Sequence, residues 1–425
     1  MKEIIIIGGG WAGCAAAVSA AKAGAKVTLL ERTDMLLGTG LVGGIMRNNG
    51  RYTATEEMIA MGGGDLFIIC DNTARHKNIE FPGHKHASLY DIAQTPGEVL
   101  KLLINLGVQI VMEARITEVV MKDKMLTAVK DQQGREFKGD VFIDTTGTAG
   151  PMNNCGKYGN GCAMCILRCL SYGGRVSVTG LTGVEELTGK KANGSFGAMS
   201  GSCKLYKESL SPAIQEELNT KGVAIIPVPE ELKEDHLSVK ACQQYALSAF
   251  TDNVILLDTG HAKLMTPFYD LNRLRKIPGF ENARYEDPYA GGKGNSMRFF
   301  NIAPRDNCLK VEGVNNLFCA GEKVGLLVGH TEAIVTGTLA GHNSVRYALG
   351  MELLELSRDL AVGDAIAYVK EAMLTEEGMG KKYTFSGSVY FERMIEKNLY
   401  TVDVPFITEK AAKLGVKDIF QTKLA

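Results

Sequence analysis

The sequence predicts an α/β fold: a Rossmann-like nucleotide-binding domain that is discontinuous in the chain, with an inserted α+β substrate module and a short helical C-terminal tail. Three observations carry this. An apolar strand runs into a glycine-rich turn and a small-residue helix at the start of the chain (IIIIGGGWAGCAAA, from Ile4). A second hydrophobic strand, far downstream, ends in Asp144-Thr145-Thr146-Gly147. A third segment, Leu317-Phe318-Cys319-Ala320-Gly321-Glu322, precedes another small-residue helix. Strands separated this widely, each ending in glycine at the same kind of turn, belong to one sheet completed late in the chain.

The elements follow in order. Glu3–Gly8 reads as a strand, Trp11–Ala23 as a helix, and Lys26–Glu31 as a strand ending in an acid, which is one βαβ unit. Residues 33–51 are glycine-rich and 52–90 read as irregular. Thr95–Leu106 is expected as a helix with Thr95 as its cap and Pro96 in its first turn. Strands are expected at Val108–Glu113, Ile116–Lys122, Met125–Asp131 and Phe137–Thr145, the middle pair turning at Lys122–Lys124. The expected organisation is a nucleotide-binding domain at 1–150 and 299–350, an inserted module at 151–298, and a helical tail at 351–425.

Composition narrows the function classes. With 425 residues, 45% hydrophobic and 22% charged, the chain is that of a soluble protein with more than one core. A net charge of −1 leaves no basic footprint, so nucleic acid is an unexpected partner. Strand character from Ile4 leaves no length for a signal peptide, and no apolar run reaches the ~20 residues that cross a bilayer. A cytoplasmic protein is therefore expected, possible as an oligomer. Its ten cysteines are then reduced, and clustered ones are catalytic or metal-binding before they are structural.

The glycine pattern carries chemistry. Gly8 permits the strand-to-helix turn, Gly10 lets backbone approach a pyrophosphate, and Gly13 lets helix and strand pack closely. The helix start, at Trp11 and Ala12, offers N–H groups and a positive dipole end. Glu31, followed by Arg32, stands eighteen residues after Gly13, where an acid accepts hydrogen bonds from a ribose. The segments containing Thr146 and Gly147, and Gly321 and Glu322, have the form seen in two-domain flavoproteins, which favours FAD. Gly38 and Gly40 would let backbone pass close to the flavin, and Gly329 would precede the helix aimed at its N1–C2=O edge; His330, at that helix start, is a catalytic candidate that donates to the flavin O2 or to substrate, the alternative being a capping role. Arg47 is a candidate partner for an anionic substrate or the reduced ring.

These segments resemble the FAD site of the glucose-inhibited division protein A family. The resemblance rests on the N-terminal glycines and on Gly329, Glu332, Ala333, Gly337, Ala340, Gly341 and Asn343. It spans about residues 1–50, 95–150 and 315–350. It implies the FAD-binding fold; with no signature of a covalent link in the sequence, noncovalent FAD and two-electron transfer through flavin N5 are expected. Tail residues 351–425 hold ten Lys/Arg against twelve Asp/Glu, a poor surface for phosphates. The family's RNA-modifying members nonetheless keep a flavin-dependent tRNA- or RNA-modifying enzyme as an alternative.

Cys155, Cys162, Cys165 and Cys169 (CGKYGNGCAMCILRC) leave three readings open. Cys162 and Cys165 have the spacing of a redox dithiol that relays electrons from the flavin. All four have ligand chemistry for a [4Fe–4S] cluster, although Leu170 replaces the usual proline; that reading makes the chain a flavin/iron–sulfur electron-transfer protein. They are also compatible with simple packing, the reading given to Cys14, Cys70, Cys203, Cys242, Cys308 and Cys319. The principal expectation is an FAD-dependent oxidoreductase acting on a small-molecule or thiol/disulfide substrate. A second dinucleotide fingerprint is absent, so NAD(P)H would bind transiently or a protein would donate electrons. His84 and His86 read as surface loop, Lys293 as a weak phosphate candidate, and Lys381 and Lys382 as solvated.

Overall fold

A computed structural model describes residues 1–148, 169–190, 194, 198–199, 202–233, 247–266, 269–286 and 297–425. Among them, five parallel strands form the central sheet: β1 (Glu3–Ile7), β2 (Lys26–Leu30), β3 (Gln109–Val111), β4 (Val141–Asp144) and β5 (Leu317–Cys319). The spatial order is β5-β4-β1-β2-β3. β1 is central, pairing Ile4 with Val141 on one side and Ile5 with Thr28 on the other. Ile4, Ile5 and Ile6 are buried, as a parallel strand covered on both faces requires. The expected strand at Phe137–Thr145 is two strands: Glu136–Lys138 joins an antiparallel side sheet and β4 joins the centre. The chain breaks between them at Asp140, whose carboxylate accepts the Glu3 amide at 2.8 Å. The hairpin at 116–131 forms as read, with Lys122 opposite Met125.

Helix α1 (Trp11–Lys22) follows β1 and packs on α3 (His330–Ala348). The approach is close enough that a Cβ at Gly337 would lie 2.2 Å from the Ala12 carbonyl oxygen, and one at Gly341 2.3 Å from that of Ala16. Only glycine fits at such spacing.

Residues 52–90 are not irregular. They contain α2 (Gly50–Ala60), a helix at Asp65–Asn72, and the antiparallel strands Ala74–Phe81 and His84–Tyr90. Met58 and Phe67 bury into the main core; Phe81, Ala87 and Leu89 pack against Ile255 and Leu257 of the inserted module. His84 is accordingly a buried strand residue stacked on Phe81 with ring centroids 4.6 Å apart, and His86 lies on the same strand. Thr95 begins its helix without capping it: its hydroxyl donates back to the Asp91 carbonyl at 2.6 Å, and Asp91 Oδ1 accepts the Ala93 and Gln94 amides.

The inserted module has a four-stranded antiparallel sheet among the described residues, built from Cys203–Leu205, Ala262–Leu264, Asn253–Asp258 and Val223–Pro227. Leu205, Leu218, Leu256 and Phe280 form its core. The tail packs on the nucleotide-binding half: Leu360, Val362, Tyr390 and Phe420 belong to the same core as the central sheet. Lys382 is buried with Nζ over the Phe300 ring, so it is not the solvated residue expected. No helix of the described residues is long and apolar enough to cross a membrane.

Candidate functional site: a cleft between two helix starts

The central sheet ends in turns at its carboxyl edge, and these turns wall a solvent-open cleft of about 940 Å³. This is where open parallel sheets place ligands. Gly8, with φ of 110°, makes the turn after β1; a Cβ there would lie 2.5 Å from the Thr145 carbonyl oxygen. Gly13 faces inward, where its Cβ would fall 1.8 Å from Gly8 O. Gly10 differs: a Cβ there meets nothing within 4 Å, so its face is open to the cleft. Gly147 is open in the same way.

Two helix N-termini meet at this cleft. Gly10 precedes α1 with no capping side chain and no acid in the first turn. Gly329 precedes α3, again with no capping side chain. The first-turn acid of α3, Glu332, is turned away, accepting hydrogen bonds from Thr384 Oγ1 at 2.6 Å and Phe385 N at 2.9 Å and pairing with Arg51 at 3.2 Å. Both helix starts therefore keep backbone N–H groups and positive dipole ends for a ligand's negative charge.

Glu31 stands at the end of β2, buried. Its Oε2 accepts the Gly9 amide at 2.7 Å and its Oε1 accepts the Thr33 amide at 2.7 Å. Oε1 also accepts the Thr33 hydroxyl at 3.0 Å, so the acid braces the glycine turn, and Oε2, with one donor, keeps acceptor capacity in a residue that lines the cleft. Behind the opposite wall, where Thr146, Thr148 and Glu322 line the cleft, lies a buried polar network. Asp144 accepts the Thr179 and Thr146 hydroxyls, each at 2.7 Å. Burial pushes its carboxyl up, but Lys323 and these donors outweigh burial and hold it below the ordinary value. Lys323, fully buried, donates to Ser177 Oγ at 2.7 Å and to Glu186. Glu322 accepts a hydrogen bond from Thr148.

The structure brings Gly8, Gly10, Trp11, Ala12, Glu31, Arg32, Gly38, Thr146, Gly147, Gly321, Glu322, Gly329 and His330 to this one cleft. Gly13 and Gly40 sit behind it: a Cβ at Gly40 would lie 2.4 Å from Trp11 Nε1, and Tyr90 donates to its carbonyl at 2.9 Å. His330 opens α3, with Nε2 3.4 Å from Thr39 Oγ1 and its ring 6.5 Å from that of Trp11.

Arg47 requires a correction. It does not line the cleft; it forks onto Asp71 at 2.6 Å and also pairs with Glu56. Two carboxylates consume the guanidinium that was expected to meet a substrate or the reduced ring. Cys155, Cys162 and Cys165 lie outside the described residues, as do Cys242 and Lys293, and of Cys169 only its place in a helix at Cys169–Tyr172 is described. Among the described residues no group of three or more His, Cys, Asp or Glu is placed to hold a metal. Cys14, Cys70, Cys203 and Cys319 are buried in packing positions, and burial pushes the Cys319 thiol up to about 12.

Sequence reading missed Arg115, Thr148 and Arg175, which also line the cleft. Arg175 is the most informative. Its Nη1 donates to the Gly147 carbonyl at 2.8 Å, and its Nη2 to the Phe299 carbonyl at 3.1 Å and Asn301 Oδ1 at 3.0 Å. It ties the turn after β4 to the returning chain. No local motif announces an arginine whose partners are backbone carbonyls far away in sequence.

The chain is similar to known proteins in the same sense as the geometry. The profile of the family described as glucose inhibited division protein A matches residues 3–249 and 260–352. The tRNA uridine 5-carboxymethylaminomethyl modification enzyme MnmG of Chlorobaculum tepidum is 33% identical over 127 residues, 30% of this chain. That match spans 19% of the relative's length. Two crystal forms of Aquifex aeolicus GidA share the fold. Form II has a TM-score of 0.70 at 18% identity, covering 99% of this chain and 74% of that one; form I has 0.65 at 16%, covering 97% and 78%. With most of its length matched by the family profile, the chain belongs to the glucose inhibited division protein A family.

Proposed function

We propose that the chain is an FAD-dependent enzyme that acts on tRNA. The observation that carries the flavin is the cleft itself, where two uncapped helix starts and the Glu31 carboxylate converge. FAD has the matching chemistry: a pyrophosphate for the N-terminus of α1, a ribose for Glu31, and a ring that gains negative charge on reduction for the N-terminus of α3. The open faces at Gly10 and Gly147 suit backbone contact with such a ligand. When bound, FAD would supply two-electron chemistry at N5. The protein's part is to bind it, orient it between the two helix starts, and present the substrate from the inserted module, for which residues 151–298 remain our proposed boundary.

The substrate assignment reverses the expectation drawn from net charge. Family membership and the named activity of the Chlorobaculum relative support a tRNA substrate over a small molecule or a thiol/disulfide. A net charge near zero averages over the whole surface and does not exclude a local phosphate-binding track. Cys162 and Cys165, on which the relay and iron–sulfur readings depend, lie outside the described residues, and this proposal uses neither.

Two measurements test this. The purified protein should carry a flavin spectrum, and Glu31→Gln, which turns an amide donor toward a backbone N–H, should weaken FAD binding at least tenfold, on the order of 1.4 kcal/mol. Bulk tRNA should bind at low salt with affinity that falls steeply as salt rises. Protein that binds FAD but shows no tRNA binding at low salt would return the function to a small-molecule oxidoreductase.

A further inference from the structure

The inserted module reaches into the nucleotide-binding half through one buried lysine. Lys263 lies on the strand Ala262–Leu264, paired across the sheet with Lys204. It is 5% exposed. Its Nζ donates to the Val42 carbonyl and to Ser202 Oγ, the latter at 2.5 Å. Among the described residues no carboxylate pairs with it, and its charged neighbour Lys204 carries the same sign. Burial first, and then Lys204, bring the amine down to about 7.

A buried ammonium without a counter-ion is costly, and an apolar residue would pack the position more cheaply. What it touches explains its presence. Val42 ends the glycine-rich strip Gly38–Val42. Its neighbour Gly43 is pressed on the flavin-side histidine: a Cβ there would lie 2.3 Å from His330 Cε1. A Cβ at Gly44 would lie 2.3 Å from Thr259 Cγ2 of the inserted module. The strip is thus held between His330 and the strand that carries Lys263.

We propose that Lys263 is a positioning residue for the bound flavin: it clamps the Val42 carbonyl from the inserted module, fixes the Gly38–Gly44 strip against His330, and sets a positive charge behind that strip. The proposal rests on the FAD reading. The clamp alone is independent of it.

The full chain is compared with Lys263→Met, Lys263→Gln and Lys263→Arg. In the unliganded protein, hydrogen exchange reads the clamp through the Gly40 and Gly43 amides, which bond to Leu37 O and Gly40 O. Exchange there should be at least tenfold faster in Lys263→Met and near wild type in Lys263→Arg. With FAD, Lys263→Met should bind at least tenfold more weakly. At pH 6, where the wild-type amine is protonated, its bound flavin should have a lower midpoint potential in dye-equilibration titrations, because removing nearby positive charge disfavours the anionic reduced ring. Lys263→Gln, a donor without charge, should keep the slow exchange yet show the lowered potential, and it serves as the test variant if Lys263→Met does not fold. Wild-type exchange in the methionine variant overturns the clamp. An unchanged potential in both neutral variants overturns the charge role. Wild-type protein that binds no FAD defeats the flavin reading instead, and the exchange comparison still judges the clamp.

Discussion

His342 and Glu57 are buried titratable groups outside the cleft, and their effects oppose each other. Both ring nitrogens of His342 lack a partner among the described residues, and burial, with Arg346, lowers the imidazole from 6.5 to about 4. The unfolded chain then takes up a proton that the native state refuses, so stability falls as pH drops from 6.5 to 4. Glu57 caps another helix from a distance: its carboxylate accepts the Ala361 amide at 2.9 Å and the Val362 amide at 3.0 Å. Burial outweighs these donors and raises the carboxyl from 4.5 to about 7, so stability falls as pH rises from 4.5 to 7. Each effect is worth at most about 3 kcal/mol. The two slopes cancel over most of the range where they overlap, and the wild-type denaturation midpoint should be nearly flat there. Glu57→Gln should uncover a midpoint that rises with pH toward 6.5, and His342→Phe one that falls toward 7. Parallel pH profiles for the two variants would refute both assignments. The fate of Arg47 shows the limit of reading at this scale. Its position after a glycine-rich strip is legible, but its partners Asp71 and Glu56 come from helices in a segment whose sequence reads as irregular chain.

At the scale of elements, what was legible follows from period and punctuation. β1, α1 and β2 were placed to within a residue or two because an isoleucine run, three glycines and a small-residue helix agree in type and order. The hairpin at 74–90 was missed although Phe81-Pro82-Gly83-His84 carries a turn signal, with Gly83 at φ of 77°. Its strands alternate poorly because the pairing shifts register between Ala74 and Phe81, which hides the period of two. The small residues of α3 were legible as a family motif, but their physical reason is visible only in the packing. Gly337 and Gly341 face the α1 backbone at a distance that admits no side chain. Gly337→Val should force the helices apart, costing on the order of 1–3 kcal/mol or more by overpacking. Because α1 and α3 both begin at the cleft, the same change should weaken FAD binding, a joint loss that calorimetry and flavin fluorescence can measure on one sample. A destabilised variant with unaltered FAD affinity would mean that the helix starts do not set the site.

At the scale of the molecule, the question is what makes the nucleotide-binding half and the inserted module act as one body. The sequence predicts an inserted module but does not show its joints, since each joint pairs residues far apart in the chain. Lys263 on Val42 is one and Arg175 is another. A third is Asp258, fully buried at the end of a module strand, which pairs with Lys207 at 2.7 Å, His76 at 2.9 Å and Arg75 at 3.0 Å. Burial pushes its carboxyl up, but the hydrogen bonds from Lys207 and His76 and the charges of Lys207 and Arg75 hold it below the ordinary carboxylate value. Its stabilising effect is therefore present at neutral pH and lost only as the solution becomes acidic enough to protonate it. Arg75 and His76 come from the 74–90 hairpin, so this carboxylate ties the hairpin to the module sheet behind the apolar contact of Phe81 and Leu89 with Ile255. Asp258→Ala leaves Lys207 and Arg75 without their shared counter-charge and His76 without its hydrogen-bond partner, a change of the kind that costs about 3–5 kcal/mol. The loss should fall on the joint more than on either core, because Ile255 and Leu257 stay in place to pack each sheet. The expected outcome in calorimetry is a single wild-type transition that splits in Asp258→Ala, with the module melting first and FAD still protecting the nucleotide-binding half. Asp258→Asn, which retains hydrogen-bond acceptance without the charge, should fall between the two. A uniform downward shift of one transition in both variants would instead mean that the two bodies are coupled by their apolar contact alone.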